Sequence, residues 1–224
     1  MKKQITIALA GNPNSGKSTV FNNLTGARQH VGNWPGVTVE KKEGSCKYKG
    51  YSIKVVDLPG VYSLTAYSMD EVIARDFVID GKPDVVVDVV DASNLERNLY
   101  LAVQLLEMKA NLVVALNMMD VAESREYGIN VNELSRLLGA PVVPMVAARD
   151  QGTQELLDTI VDLVEGCREV SGIRMQYGHD VEAEISKLER LLADNSLAGD
   201  YSPRWLAIKL LEEDRQIIDK IGKQ

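Results

Sequence analysis

The sequence predicts an α/β fold: a mostly parallel central sheet flanked by helices, followed by a small all-α domain. Three observations carry this. Apolar, β-branched runs alternate with helix-period runs through about residue 165, the rhythm of strand–helix–strand crossovers. One run, Val85 to Asp91, is nearly all valine, as expected of a central strand buried on both faces. Beyond Gly166 the strand signal stops and only helical stripes remain. The expected division is residues 1–166 and 167–224.

The elements follow in order. Ile5 to Ala10 reads as the first strand, and Ser18 to Thr25 as the start of a helix. Val37 to Tyr48 and Tyr51 to Asp57, joined by Lys49-Gly50, suggest a hairpin. A helix is expected over about Met69 to Ile79, and another over Asn94 to Met108 with Leu95, Leu99, Val103 and Leu106 on one side. Leu112 to Asn117 and Val142 to Val146 read as strands. Between them Val131 to Leu138 reads as a short helix ending at Gly139. Thr153 to Val164 closes the unit as a helix with Leu156, Leu157, Ile160 and Val164 inward.

Ser171 to His179 reads as a linker. Val181, Ile185, Leu188 and Leu192 then form one stripe. Ser202-Pro203 opens the next helix, with serine as cap and proline at the first helical position. Trp205, Ile208 and Leu211 follow, then Ile217, Ile218 and Ile221. Helices this short do not hold alone in water, so they should pack on each other and on the first unit.

Composition narrows the class. The chain has 224 residues, 45% of them hydrophobic and 25% charged, as in soluble globular proteins. A net charge of −7 argues against a sequence-independent grip on nucleic-acid phosphates, so no nucleic-acid partner is expected. Cys46, Cys167, His30 and His179 have no zinc-ligand spacing. No stretch approaches the ~18 apolar residues of a membrane span, and the start lacks a signal-peptide pattern. The chain as given is expected to be soluble and cytoplasmic.

Four motifs carry chemistry. Gly11-Asn12-Pro13-Asn14-Ser15-Gly16-Lys17-Ser18 matches G-x-x-x-x-G-K-[ST] between a strand and a helix. Such a loop points successive backbone N–H groups at a polyphosphate, and the helix N-terminus adds positive potential. Lys17 would reach the β/γ-phosphates and the Ser18 hydroxyl would ligate Mg²⁺. Asp57-Leu58-Pro59-Gly60 ends a strand about forty residues later. Asp57 would hold Mg²⁺ through water, and the Gly60 N–H would bond the γ-phosphate. Asn117-Met118-Met119-Asp120 fits N-x-x-D, with Met118 where GTPases usually carry lysine. Asp120 would accept from guanine N1–H and N2–H₂, a donor pair adenine lacks, while Asn117 would tie this loop to the phosphate loop. Val146-Ala147-Ala148 stands where a backbone N–H reads guanine O6. Between the first two motifs, Thr38 in Gly36-Val37-Thr38 would bind Mg²⁺ and γ-phosphate only in the triphosphate state. The GTP-binding set also includes Thr19.

The runs Gly11–Ser18, 25–40 (Thr-Gly-Ala-Arg-Gln-His-Val-Gly-Asn-Trp-Pro-Gly-Val-Thr-Val-Glu), Asp57–Leu64, 89–101 and 115–120 closely resemble the N-terminal cytoplasmic G-domain of FeoB, the bacterial ferrous iron transporter family. The resemblance covers residues 1 to about 165 strongly. The tail resembles, more weakly, the family's helical spacer, described as a guanine-nucleotide dissociation inhibitor domain. It implies a Ras-like P-loop GTPase that binds GTP/GDP with Mg²⁺ and hydrolyses GTP slowly. Its nucleotide state would gate or power iron(II) uptake from the cytoplasmic face of the bacterial inner membrane. The partner implied is a membrane-embedded transporter region that this chain does not contain. Whether the chain is a homo-oligomer is left open.

Two details come with the resemblance. Val61 follows Gly60 where many Ras-like proteins have a water-orienting glutamine, which implies slow intrinsic turnover. Asn14, with backbone carbonyls near Gly32 and Trp34, would hold K⁺ beside the β/γ-phosphates, as in potassium-activated relatives. The catalytic set is then Lys17, Thr38, Gly60 and Asn14. Trp34 is expected to be exposed on a mobile switch, Asp88 to lie at a strand end or edge, and Glu96, Arg97 and Asn98 to begin and cap a helix. Two other functions fit less well. One is a regulatory binding module with hydrolysis only as timer. The other is a free-standing GTPase of ribosome or tRNA maturation, which the acidic charge disfavours.

Overall fold

Among the residues described by the computed structural model, 3–26, 28–194 and 201–222, seven strands form one sheet. They are β1 (Gln4–Gly11), β2 (Gln29–Asn33), β3 (Glu40–Tyr48), β4 (Tyr51–Asp57), β5 (Val85–Asp91), β6 (Leu112–Asn117) and β7 (Val142–Pro144). Their order across the sheet is β2-β3-β4-β1-β5-β6-β7. From β4 to β7 every neighbouring pair is parallel, whereas β2 and β3 add on antiparallel. The β3–β4 turn is Lys49-Gly50, both at positive φ (44° and 82°), as a two-residue hairpin requires.

Helices α1 (Lys17–Thr25), α2 (Met69–Asp80), α3 (Leu95–Glu107), α4 (Met119–Ser124), α5 (Val131–Leu138) and α6 (Thr153–Val164) alternate with the strands. Side chains that alternate along β1 feed two cores. Ile5, Ile7 and Leu9 pack with Phe21 and Leu24 of α1 and with Leu156 and Ile160 of α6. Ala8 and Ala10 join Val86, Val90, Leu101 and Leu105 on the other face. Each fully buried aliphatic side chain contributes about 1.5–3 kcal/mol. Because the strands from β4 to β7 are parallel, their C-terminal ends share one edge. That edge presents Gly11, Asp57, Asp91 and Asn117, the usual ligand crevice of such sheets.

The tail contributes α7 (His179–Asp194), α8 (Pro203–Leu211) and α9 (Arg215–Ile221), around Ile185, Leu192, Trp205, Leu206 and Ile217. Ile79 of α2 and Met108 after α3 pack against this third core, as short amphipathic helices demand. Polar contacts reinforce it. Arg75 of α2, whose side chain is fully buried, donates to Asp214 Oδ2 (3.0 Å) and Gln216 Oε1 (2.8 Å). Tyr177 donates to Glu107 at the end of α3. Arg204 binds both carboxylate oxygens of Glu182, which holds that carboxyl down at about 2.

The structure corrects several expectations. The strand expected from Val37 begins at Glu40, because residues 34–39 close on themselves as turns. The segment before them forms β2, an exposed edge strand with no apolar alternation to announce it. Asp88 lies at no edge: it is 1% exposed in the middle of β5, between Ala10 and Val114. Trp34 is buried, not exposed. Val164 and Val181 point outward, and Leu163 is buried in place of the former. α3 begins at Leu95, and Asn98 is buried, its Oδ1 accepting from Asp91 N–H. Ser202 precedes α8 without a side-chain capping bond.

Candidate functional site

The loop from Gly11 to Ser18 leaves β1 and enters α1 at the sheet edge described above. Its bends are Asn14 (φ 67°) and Gly16 (φ 89°), with Ser15 N–H donating to Asn12 O at 3.2 Å. Among the described residues no side chain caps α1, so the N–H groups of its first turn add positive potential at the loop. Gly16 is required twice over. Its φ is left-handed, and a Cβ would collide with the Asn117 amide. Asn12 Oδ1 and Ser15 Oγ are buried with no partner among the described residues. A loop that leaves donors and acceptors unsatisfied in this way fits a polar ligand.

Lys17 Nζ donates to Asp57 Oδ1 and to Leu58 O (2.7 Å), so the first two motifs meet at one ammonium. Gly60 lies against Pro13, where its Cβ position would be 3.5 Å from Pro13 Cα. Val61 is buried, and its N–H donates to Gly11 O at 3.2 Å. Its side chain is therefore turned inward and offers nothing to an attacking water. Ser18 is exposed at the start of α1 and Thr19 beside it donates its N–H back to Gly16 O. The donors near Lys17 are a hydroxyl and a carboxylate, the hard oxygens that suit Mg²⁺. Among the described residues no cluster of three or more His, Cys, Asp or Glu could hold another metal.

The last two motifs also meet. Asn117 Nδ2 donates to Ser15 O and Asn117 Oδ1 accepts from Ala147 N–H, each at 2.9 Å. One buried amide thus joins three loops. Met118, at φ 61°, turns the chain into α4 and carries its methyl over Gly16. Asp120 Oδ1 accepts from Val121 N–H (3.0 Å), and Oδ2 lies 3.6 Å from Arg149. Val146 N–H goes to Gln151 O and Ala147 N–H to Asn117, whereas the Ala148 N–H has no acceptor among the described residues.

The segment around Thr38 is not brought in. Thr38 is exposed, and among the described residues no hydrogen bond joins it to Ser18 or Asp57. Gly36 is exposed and Val37 half-buried. Gly32 sits in β2, and the Trp34 carbonyl accepts from Val37 N–H (3.2 Å), so nothing joins either to Asn14 among the described residues.

Some participants escaped the sequence reading. Glu71 forms a capping box with Ser68 and also accepts from Ser63 Oγ (2.9 Å) and Tyr67 N–H (2.8 Å), which pins the loop after Gly60. The spacing Ser-x-x-Glu could have revealed it. Gln104 accepts from Leu64 N–H (2.7 Å), and Arg97 stacks 3.9 Å over Tyr62. Only a polar residue inside an apolar stripe hinted at Gln104.

The ferrous iron transport protein B family model matches residues 5–160, and the FeoB cytosolic helical domain model matches residues 177–224. The chain is 44% identical over 224 residues to an Fe(2+) transport protein A/Fe(2+) transporter FeoB fusion protein of Porphyromonas gingivalis, covering 98% of this chain and 26% of that protein. It is 45% identical over 216 residues to the Fe(2+) transporter FeoB of Escherichia coli K12, covering 95% of this chain and 27% of that protein. The chain thus spans about a quarter of the length of the curated relatives it matches. The cytosolic domain of the T. maritima FeoB iron transporter superposes in a GDP form with TM-score 0.92 at 42% identity, over 98% of this chain and 86% of that one. Its GMPPNP form gives 0.89 at 43%, over 98% and 85%. The expected α/β P-loop GTPase fold with a small helical domain is borne out.

Proposed function

The chain belongs to the ferrous iron transport protein B family, and we propose that it binds and hydrolyses GTP so that its nucleotide state controls iron(II) uptake by a membrane-embedded region. Among the described residues no helix is long and apolar enough to cross a membrane. The proposed partner is that membrane-embedded region. The proposed place of action is the cytoplasmic face of the bacterial inner membrane. The proposed division into a nucleotide unit and a helical unit is 1–166 and 167–224.

The observation that carries the reading is the Asn117 amide, which fastens the phosphate loop, the base-reading strand and the Ala147 turn into one site. Guanine would place its N1–H and N2–H₂ on Asp120, with Ala148 N–H, the free donor of its turn, on O6. Met118 would cover one face of the base. The phosphate chain would lie along the N–H groups of residues 14–19, and Lys17 would move from Asp57 to the β/γ-phosphates. Ser18, Asp57 and, after movement, Thr38 would hold Mg²⁺, which supplies charge neutralisation between the β- and γ-phosphates. Gly60 N–H would mark the γ-phosphate.

Water attacks the γ-phosphorus in line, and the bond to the bridging oxygen of GDP breaks. Val61 cannot orient that water, so intrinsic turnover is slow. Asn14 with the carbonyls of Gly32 and Trp34 would hold K⁺, whose charge would serve as an arginine finger does. The test is GTP hydrolysis in matched KCl and NaCl, with ATP as control. Faster turnover in KCl with GTP alone is expected. Equal rates in both salts would remove K⁺ from the scheme, and equal use of ATP would remove the guanine reading.

A further inference from the structure

Trp34 is 7% exposed, although Asn33, Pro35 and Gly36 around it are exposed. Its ring meets Phe77 of α2 edge to face, with centroids 5.4 Å apart and planes at 71°. The Lys41 ammonium lies 4.8 Å from the ring centroid. Val37 and Val39 pack on the same apolar cluster as Trp34. The backbone closes the segment on itself: Trp34 N–H donates to Val39 O (2.9 Å), and Val37 N–H donates to Trp34 O (3.2 Å).

This arrangement withholds what the proposed reaction needs. Thr38 stands exposed between two inward valines, away from Ser18 and Asp57. The Trp34 carbonyl is already taken by Val37. The arrangement also carries a cost, because the Trp34 indole N–H is buried with no acceptor among the described residues. A buried donor left unpaired penalises the state that contains it.

We infer that Trp34 is a positioning residue: docked between Phe77 and Lys41, it stores the 34–39 segment in a ligand-withheld form, and its release from α2 delivers Thr38 to the γ-phosphate. This rests on the reading of the site as a GTP switch. A ligand shifts such an equilibrium only by its differential affinity for the two forms. The triphosphate with Mg²⁺ offers Thr38 a partner, and the diphosphate does not. Weaker docking therefore favours the triphosphate.

The test has two independent readouts. Trp205, buried in the tail, gives a constant background, and a Trp34→Phe chain supplies the difference spectrum. Saturation with Mg²⁺ and GMPPNP should red-shift the Trp34 emission and open it to acrylamide, while Mg²⁺ and GDP should leave it unchanged. Phe77→Ala should raise the GMPPNP-to-GDP affinity ratio about three- to tenfold, read with fluorescent nucleotides. Identical Trp34 emission with both nucleotides bound, or an unchanged ratio in Phe77→Ala, overturns the inference. Failure of either nucleotide to bind the wild-type chain overturns the functional reading instead, and the latch with it.

Discussion

Lys17 and Asp57 are bound to each other: the ammonium donates to the carboxylate, and both side chains are about nine-tenths buried. In the proposed site each stands where a ligand component would bind: a phosphate would replace Asp57 at Lys17, and a cation would replace Lys17 at Asp57. Without Mg²⁺, phosphate and carboxylate compete for one ammonium and repel each other. Chelation should therefore weaken GDP binding by about tenfold or more in the wild type. Asp57→Asn removes the repelling charge, so its affinity should barely respond to EDTA. Titration with a fluorescent GDP decides; an EDTA response equal to the wild type's would show that Asp57 is not the cation's ligand.

Asp120 is half-buried, with Oδ1 on Val121 N–H and Oδ2 toward Arg149. An asparagine keeps the shape but replaces one acceptor by a donor. Asp120→Asn should cost about a hundredfold in GDP affinity, because a guanine N–H then meets an N–H. The variant should gain affinity for xanthosine diphosphate, whose O2 accepts where guanine donates. Competition binding with both diphosphates measures this, and unchanged GDP affinity would remove Asp120 from the base site.

Asp88 gives a pH dependence with a definite sign. Burial alone, with both oxygens unpartnered among the described residues, pushes its carboxyl up to about 8. Below about pH 4 the folded and unfolded chains both hold the proton. As pH rises from there to about 8, the unfolded chain has lost it while the folded chain keeps it. Stability therefore falls by up to about 1.4 kcal/mol per pH unit over that window. Asp88→Asn cannot ionise, so its stability relative to wild type should rise from pH 5 to pH 7.5 in urea unfolding. Parallel curves for the two proteins would mean that Asp88 finds a partner in solution.

The parallel sheet was legible because valine runs and helix stripes obey fixed periods, and β5 and β6 fall where Val85–Asp91 and Leu112–Asn117 place them. The phosphate loop was legible because its glycines have steric reasons, as Gly16 against Asn117 shows. β2 was not, since an edge strand with all five residues exposed leaves no apolar alternation. Trp34 misled for a related reason. Burial of a loop residue depends on a distant partner, here Phe77, which no local pattern encodes. Asp88 misled because a carboxylate in a valine strand breaks the rule that buried charge is paired. Burial pushes its carboxyl up, which favours the neutral form where a charge would need a partner.

Arg75 ties α2 to α9. Its side chain is fully buried, and Asp214, 6% exposed, both receives its guanidinium (3.0 Å) and caps α9 by accepting from Ile217 N–H (3.2 Å). Arg75→Met keeps most of the volume but strands the Asp214 carboxylate away from water. Removing one partner of a buried pair costs about 3–5 kcal/mol. Asp214→Asn keeps a capping oxygen and discards the charge. The double variant Arg75→Met, Asp214→Asn should therefore regain at least half of what the single variant loses. Urea unfolding measures the loss, and hydrogen exchange of the α9 amides should report the same order. If the double variant is as unstable as the sum of the singles, the stranded charge is not the cause and packing around Arg75 is.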